Sequence, residues 1–293
     1  MNFSFEIFPP KTDKGFEKLC SDGGVLDQLN ELNPAYISVT YGAGGTGIGR
    51  NMAVLKKIAE SKRSLPVTHY TCINNSVEGV REEFNTFLEN GISHVLALRG
   101  DIPRGQPDTG GAFQHSSELV RFLKNEYGSR IHIAVAGLPE GHIESSDFRK
   151  DIRFLKMKQD EGAERIITQL CWDMEQFKRW YDTIRHEGIT MPVDIGVMSV
   201  LDPAVTIRMA LSNNGCAIPA DLARIISRHW LRPHVFNPEE DQETMELRLR
   251  EFRDEGMAYT IRQCREYKKL GPAGIHLYVL NKAHVARKIL REV

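Results

Sequence analysis

The stretch from Val67 to Leu98, VTHYTCINNSVEGVREEFNTFLENGISHVLAL, decides the fold. It opens on a β-branched and aromatic run, Val67–Thr71, and closes on a second, His94–Leu98. Between them Val80, Phe84, Phe87 and Leu88 recur at helical spacing. A strand, an amphipathic helix and a strand within about 30 residues form the unit that joins neighbouring parallel strands. Working outward, the alternation repeats. Phe3–Phe8 precedes it and stops at Pro9-Pro10, which cannot extend a ladder, and Tyr36–Thr40 follows. Downstream come Ile131–Val135, Arg165–Gln169, Val193–Val197 and Ile275–Val279. Helical stripes fall between them at Met52, Leu55, Ile58 and Ala59; at Leu119, Phe122 and Leu123; and at Phe177, Tyr181 and Ile184. Eight strands alternating with helices over 293 residues predict an α/β protein, a single (β/α)8 barrel spanning 1–293.

Composition agrees with a globular chain and narrows its class. Lys plus Arg number 38 and Asp plus Glu 39, a net charge of −1, so no overall field favours nucleic acid or an acidic membrane. No apolar run reaches the roughly 20 residues of a membrane span. The amino terminus carries neither a basic region nor a small-residue cleavage site, and the five cysteines are widely spaced without a C-x-x-C. They read as reduced thiols in a cytoplasmic protein. The longest connection follows the seventh strand. There Asn237 is a candidate N-cap with Pro238 behind it, Met245, Leu249, Phe252 and Tyr259 keep one face apolar, and Gly271-Pro272 ends the helix. The charges from Glu239 to Glu255 then form a solvated face. His229 and His234 read as surface residues, and Trp180 and Trp230 as helix packing.

Barrel enzymes place their chemistry at the carboxyl ends of the strands, and polar residues gather there. Glu6 lies late in the first strand, sharing a face with Ser4 if Phe3, Phe5 and Ile7 face the helices. Burial would raise its pKa towards that of a general acid; a pairing with Arg99 as barrel filling is the other reading. Thr40 and Tyr41 end the second strand, His69 and Thr71 the third, Gln169 the sixth. Arg99-Gly100-Asp101 follows the fourth, His276 and Tyr278 lie in the eighth, and Asn281 and Lys282 come just after it. Tyr41-Gly42-Ala43-Gly44-Gly45-Thr46-Gly47 contains a G-x-G-x-x-G, yet the next strand runs into Cys72, Ile73 and Asn74 rather than ending in the acid a dinucleotide fold requires. Leu138-Pro139-Glu140-Gly141-His142 is a further polar loop. Asp151 and Lys158, seven apart, share a helix face, either as an exposed pair or as an anchor for a diphosphate or ribose. No metal or hydrolase motif is present.

Taken in order, FSFEIFPPK, ISVTYGAGG, THYTC, LALRGD, LPEGH, DEGAERIITQ and HLYVLNK resemble the 5,10-methylenetetrahydrofolate reductase family from first strand to last. The resemblance implies an FAD enzyme that passes a hydride from NADH or NADPH to methylenetetrahydrofolate. By that resemblance Glu6 is the general acid, Asp101 contacts the pterin and influences the flavin, and Gln169 contacts pterin and nicotinamide in turn. Thr40, Tyr41, Ala43, His69, Arg99, Gly100, Asp101, His142, Asp151 and Lys158 fall where the family contacts FAD. Tyr278 and Lys282 fall on the folate side. Leu138, Cys171-Trp172, Ile195 and Ser199 depart from the family pattern around the flavin. The chain ends after the eighth unit, so no regulatory domain responding to S-adenosylmethionine is expected. A homo-oligomer, or a subunit taking electrons from a partner, is compatible with the resemblance, as is a flavin-free one-carbon transferase.

Overall fold

In a computed structural model of the chain, eight parallel strands close into a barrel in sequence order, β1 (Asn2–Ile7) pairing with both β2 (Tyr36–Val39) and β8 (Gly274–Tyr278). Between them run β3 (Leu65–Thr71), β4 (His94–Leu98), β5 (His132–Gly137), β6 (Arg165–Thr168) and β7 (Val193–Met198). The structure describes residues 1–41, 48–103, 105–143, 145, 147–212, 215–233 and 239–293. The predicted (β/α)8 architecture is the one observed.

The outer layer holds the helices α1 (Asp13–Cys20), α2 (Val25–Asn30), α3 (Ile48–Ser61), α4 (Val77–Glu89), α5 (Ser116–Tyr127), α6 (Phe148–Asp160) and α7 (Met174–His186). After β7 come α8 (Pro203–Ala210), α9 (Ala220–Ile226), α10 (Gln242–Lys269) and, after β8, α11 (Ala283–Glu292). Period-2 alternation divides the strand side chains. Phe5, Ile7, Ile37, Val39, Val95, Ile133, Val135, Ile166, Ile195 and Ile275 join the helix stripes in one large core outside the barrel. Tyr36, Val67, Leu96, Ala134 and Ile167 form a separate small cluster within the bore. The outward placement of Phe5 and Ile7 leaves Ser4 and Glu6 pointing inward, as the alternation predicted.

Two expectations are corrected. The long helix α10 starts at Asp241, whose carboxylate accepts the Thr244 N–H; Asn237 and Pro238, like His234, lie outside the described residues. Its charged face is solvated apart from Arg248, which is buried and held by Glu240 and the His229 carbonyl. His229 is not a surface residue. It is 4% exposed on a π turn, Ser227–Leu231, that follows α9, and its ring sits 3.2 Å from Glu255. The wider π turn rotates the following side chains relative to an α-helix, so α-helical spacing misplaces this histidine. Trp180 is buried as packing, and all five cysteines are free thiols. Among the described residues no helix is long and apolar enough to cross a membrane.

Candidate active site

Two features meet at the carboxyl ends of the strands: a polar cluster in the bore and a large cavity beside it. The cluster is built by strand register. Glu6 stands opposite Ser38 on β2 and Tyr278 on β8, and Ser4 stands opposite His276. The Glu6 carboxylate lies 3.6 Å from Nε2 of His69 and 3.8 Å from Nε2 of His276, retaining 24% side-chain exposure towards the mouth. Ser38 Oγ is 3.2 Å from both of those nitrogens, and Ser4 Oγ is 2.7 Å from Nδ1 of His276. The His276 ring is fully buried, stacked on Tyr36 at 5.3 Å and edge-on to Tyr278 at 5.7 Å.

This corrects the electrostatics expected of Glu6. Burial does push its pKa up. The nearby polar His276 ring and the charges of His69 and His276 outweigh that effect, leaving it below the ordinary carboxylate value. Burial in turn holds His69 below its usual value, with the Glu6 charge opposing. Glu6 is therefore an anion flanked by imidazoles. The alternative of an Arg99 pairing gives way to these two histidines, and the Arg99 guanidinium bonds the Gly100 carbonyl.

Tyr278 is turned into the bore. Its hydroxyl donates to the Thr168 carbonyl at 2.6 Å, a path open only because β7 carries Gly196 there; a Cβ at Gly196 would fall 2.2 Å from that hydroxyl. Asn281, at φ +56°, clamps the far side of the rim: its amide donates to the Phe8 carbonyl and its oxygen accepts the Phe8 N–H. Lys282 is exposed at the N-cap of α11. Thr40 closes β2 with its carbonyl bonded by Asn51.

The cavity, about 750 Å³, is lined by Tyr41, Arg99, Gly100, Asp101, His142, Asp151, Lys158 and Gln169 among others. Eight predicted residues from four strand-end loops and one helix thus line one cavity. Ala43 lies outside the described residues. Gly100, at φ +91°, packs so close to Ile73 and Thr71 that a Cβ would sit 3.0 Å from Ile73; the turn needs glycine whatever binds above it. Asp151 is not an exposed pair, since it accepts the His142 N–H at 2.9 Å and so fixes the polar loop after β5. Lys158 faces the same cavity, and its burial, only partly offset by Asp151, brings its pKa down to about 8. A desolvated cation short of negative charge suits an anionic group such as a diphosphate. The Leu170 N–H donates to Gln169 Oε1, fixing the orientation of that amide.

Sequence reasoning missed Phe154, Leu155 and Lys150, which line the cavity beside Asp151 and Lys158 on the same face of α6. Phe154 and Leu155 lie three and four residues from Asp151, so helical spacing also finds them, and Lys150 lies one turn before Phe154. It passed over Ser38 as well, an unremarked serine that only strand register places against Glu6. Of the departures from the family pattern, Leu138 lines the cavity, whereas Cys171 and Trp172 are buried outside it and do not. The Cys171 carbonyl is bonded by Gln263 and Tyr267 of α10.

With the site in view, the comparisons are specific. The family model described as methylenetetrahydrofolate reductase matches residues 1–293. The chain belongs to that family. Curated 5,10-methylenetetrahydrofolate reductases of Pectobacterium carotovorum and Escherichia coli are 32% and 30% identical, each alignment covering 99% of this chain and 89% of theirs. Methylenetetrahydrofolate reductase 1 of Schizosaccharomyces pombe is 30% identical over the whole chain, which spans 46% of that relative and so about half its length. A solved Clostridium thermocellum protein, described as binding two copies of 5-methyl-5,6,7,8-tetrahydrofolic acid, superposes at a TM-score of 0.64 with 12% identity, covering 99% of this chain and 92% of its own. At that identity the likeness is one of fold.

Proposed function

We propose that the chain reduces 5,10-methylenetetrahydrofolate to 5-methyltetrahydrofolate with FAD and a reduced nicotinamide, in the cytoplasm, on one barrel carrying both sites at its strand ends. The observation that carries this reading is that Glu6, late in β1, and a cavity walled by Lys158, Asp101 and Gln169 lie at the same end of the barrel in a chain of this family. The cavity fits a dinucleotide: its size is that of a cofactor site, and Lys158 is a cation that Asp151 compensates only in part. Lys158, His142, Arg99, Gly100, Tyr41 and Thr40 would hold FAD, with Ala43 completing the set. When bound, the flavin supplies hydride chemistry that no side chain offers.

The chain's own groups do the rest. Opening the five-membered ring of the substrate requires a proton on its nitrogen, and we assign its delivery to Glu6. Asp101 is exposed at the cavity edge, where a carboxylate accepts hydrogen bonds from the amino-substituted pterin. Gln169, its amide fixed by Leu170, offers donor and acceptor to pterin or nicotinamide in succession. Tyr278 bounds the bore behind Glu6, and Lys282 on the rim provides a cation for the glutamyl carboxylate of folate.

The test is spectral. The purified chain reconstituted with FAD should bleach with anaerobic NADH or NADPH and recover colour on adding methylenetetrahydrofolate. Flavin that no nicotinamide bleaches would point to another electron donor, and failure to retain FAD would overturn the cofactor assignment.

A further inference from the structure

Beneath Glu6 the apolar cluster of the bore leaves space unfilled. A second cavity of about 310 Å³ opens at the amino-terminal end of the barrel, lined by Asn2, Ser4, Tyr36, His132, Arg165 and Asp194 among others. Leu65 and His132 on its wall are exposed, so it communicates with solvent. Ser4, only 2% exposed, forms the inner end of this cavity and is also the residue bonded to Nδ1 of His276. One imidazole thus separates the lower cavity from the acid at the upper mouth.

Hydrogen-bond counting gives that imidazole a direction. Ser38 has a single hydroxyl proton and contacts Nε2 of both His69 and His276, so it donates to one ring and accepts from the other. The Glu6 carboxylate near both nitrogens accommodates a ring carrying its proton on Nε2. With His276 in that form, Nδ1 is an acceptor, and Ser4 donates to it from below. The Tyr36 ring stacks on His276, and its hydroxyl donates to Asp194 at 2.7 Å; Asp194 is paired in turn with Arg165. The groups facing His276 are therefore Ser4, Tyr36, Ser38, Glu6 and Tyr278, with His69 across Ser38.

We propose that His276 and Ser4 form a relay that protonates Glu6 from the lower cavity while substrate covers the mouth. The proposal deepens the reductase reading and rests on it, because that reading makes Glu6 an acid. In the step, Glu6 Oε2 gains the Nε2 proton of His276, Nδ1 gains the Ser4 hydroxyl proton, and Ser4 Oγ takes a proton from hydronium in the solvent of the lower cavity, leaving water there. His276 is left protonated on Nδ1. Once the mouth reopens, Ser38 passes a proton to Nε2, His69 restores the Ser38 proton from solvent above, and Ser4 returns the Nδ1 proton to the lower cavity. Glu6 rests as an anion in the open site, so the acid needs such a supply when the upper solvent is shut out. His276 and Ser4 are positioning and relay residues; neither touches substrate.

The first measurement follows exchange of the His276 imidazole N–H with D2O, by NMR on the full chain labelled with ¹⁵N-histidine, with and without 5-methyltetrahydrofolate. Exchange that persists with the mouth covered, and slows in Ser4→Ala but not in Ser4→Thr, supports the relay. Exchange that stops when the folate binds shows that protons enter only from above and overturns it. The wild-type comparison decides the matter even if Ser4→Ala fails to fold. In the FAD-loaded chain, Ser4→Ala should slow the folate half-reaction by roughly 10²-fold, leave flavin reduction by nicotinamide unchanged, and respond to added imidazole, which fits the lower cavity. An unchanged folate half-reaction also overturns the relay. A wild-type chain with no folate turnover counts instead against the reductase reading, and the exchange experiment in the chain without folate still reports whether Ser4 governs access to His276.

Discussion

Glu6 and Lys158 carry opposite perturbations for a shared reason: each is a charge taken out of water, and each differs in what surrounds it. Glu6 has two imidazoles within 4 Å, which hold its carboxyl down despite burial. Glu6→Gln keeps the shape and loses the proton, so the folate half-reaction should fall by roughly 10²–10⁴-fold while nicotinamide still reduces the flavin; stopped-flow absorbance separates the two. Equal loss in both halves would remove Glu6 from the acid role. Lys158 has only partial compensation from Asp151, and its pKa falls to about 8. Its charged form is the one an anion binds, so FAD affinity should weaken as pH rises through about 8, and Lys158→Met should abolish that dependence, as read by fluorescence titration. The sign for stability is the reverse. Between about 8 and the ordinary lysine value the unfolded chain binds a proton that the folded chain does not, so in the absence of ligand this group's contribution to folding stability increases with pH across that window.

At the scale of elements, the barrel depends on close approaches that only small residues permit. Gly196 in β7 gives the Tyr278 hydroxyl its route to the Thr168 carbonyl, and an added methyl would lie 2.1 Å from that carbonyl oxygen. Gly196→Ala should therefore cost about 1–3 kcal/mol, measured by denaturant unfolding, and should displace Tyr278 from the bore. The Asn281 clamp on Phe8 joins the end of β8 to the end of β1; Asn281→Ala should raise the KM for folate more than it lowers stability. The strands were legible in the sequence because period-2 runs and helical stripes differ in repeat, and all eight fell where expected. Their ends moved by one or two residues because partners set them: β5 runs on to Gly137 because that residue pairs with Thr168 on β6. Caps were less legible. Asn237 and Asp241 both suit an N-cap, and local chemistry does not rank them. In the site, residue types pointed to the rim, while the sign of the Glu6 perturbation required knowing that His69 and His276 converge on it. That convergence is set by register between strands some 200 residues apart in sequence.

The whole molecule is a ring of eight strands between two aqueous ends, with its main apolar core outside the ring. Phe5 is fully buried in that outer core directly beside Glu6 in sequence. Phe5→Ala should cost about 3–5 kcal/mol and lower the thermal midpoint, whereas Glu6→Gln should leave it close to wild type. Neighbouring residues of one strand thus divide between stability and chemistry, and a calorimetric scan of the two variants checks the division.

The closure of β1 on β8 has a consequence for biosynthesis. Ser4 leaves the ribosome 272 residues ahead of His276, so the polar cluster has no existence until translation has passed the eighth strand. Until then β1 and β7 are open edges, each offering unpaired backbone groups to any nearby nascent chain. A stalled or prematurely terminated polypeptide lacking residues 274–278 would be both inactive and inclined to aggregate, and the demand for chaperones should fall on the ring's final strand.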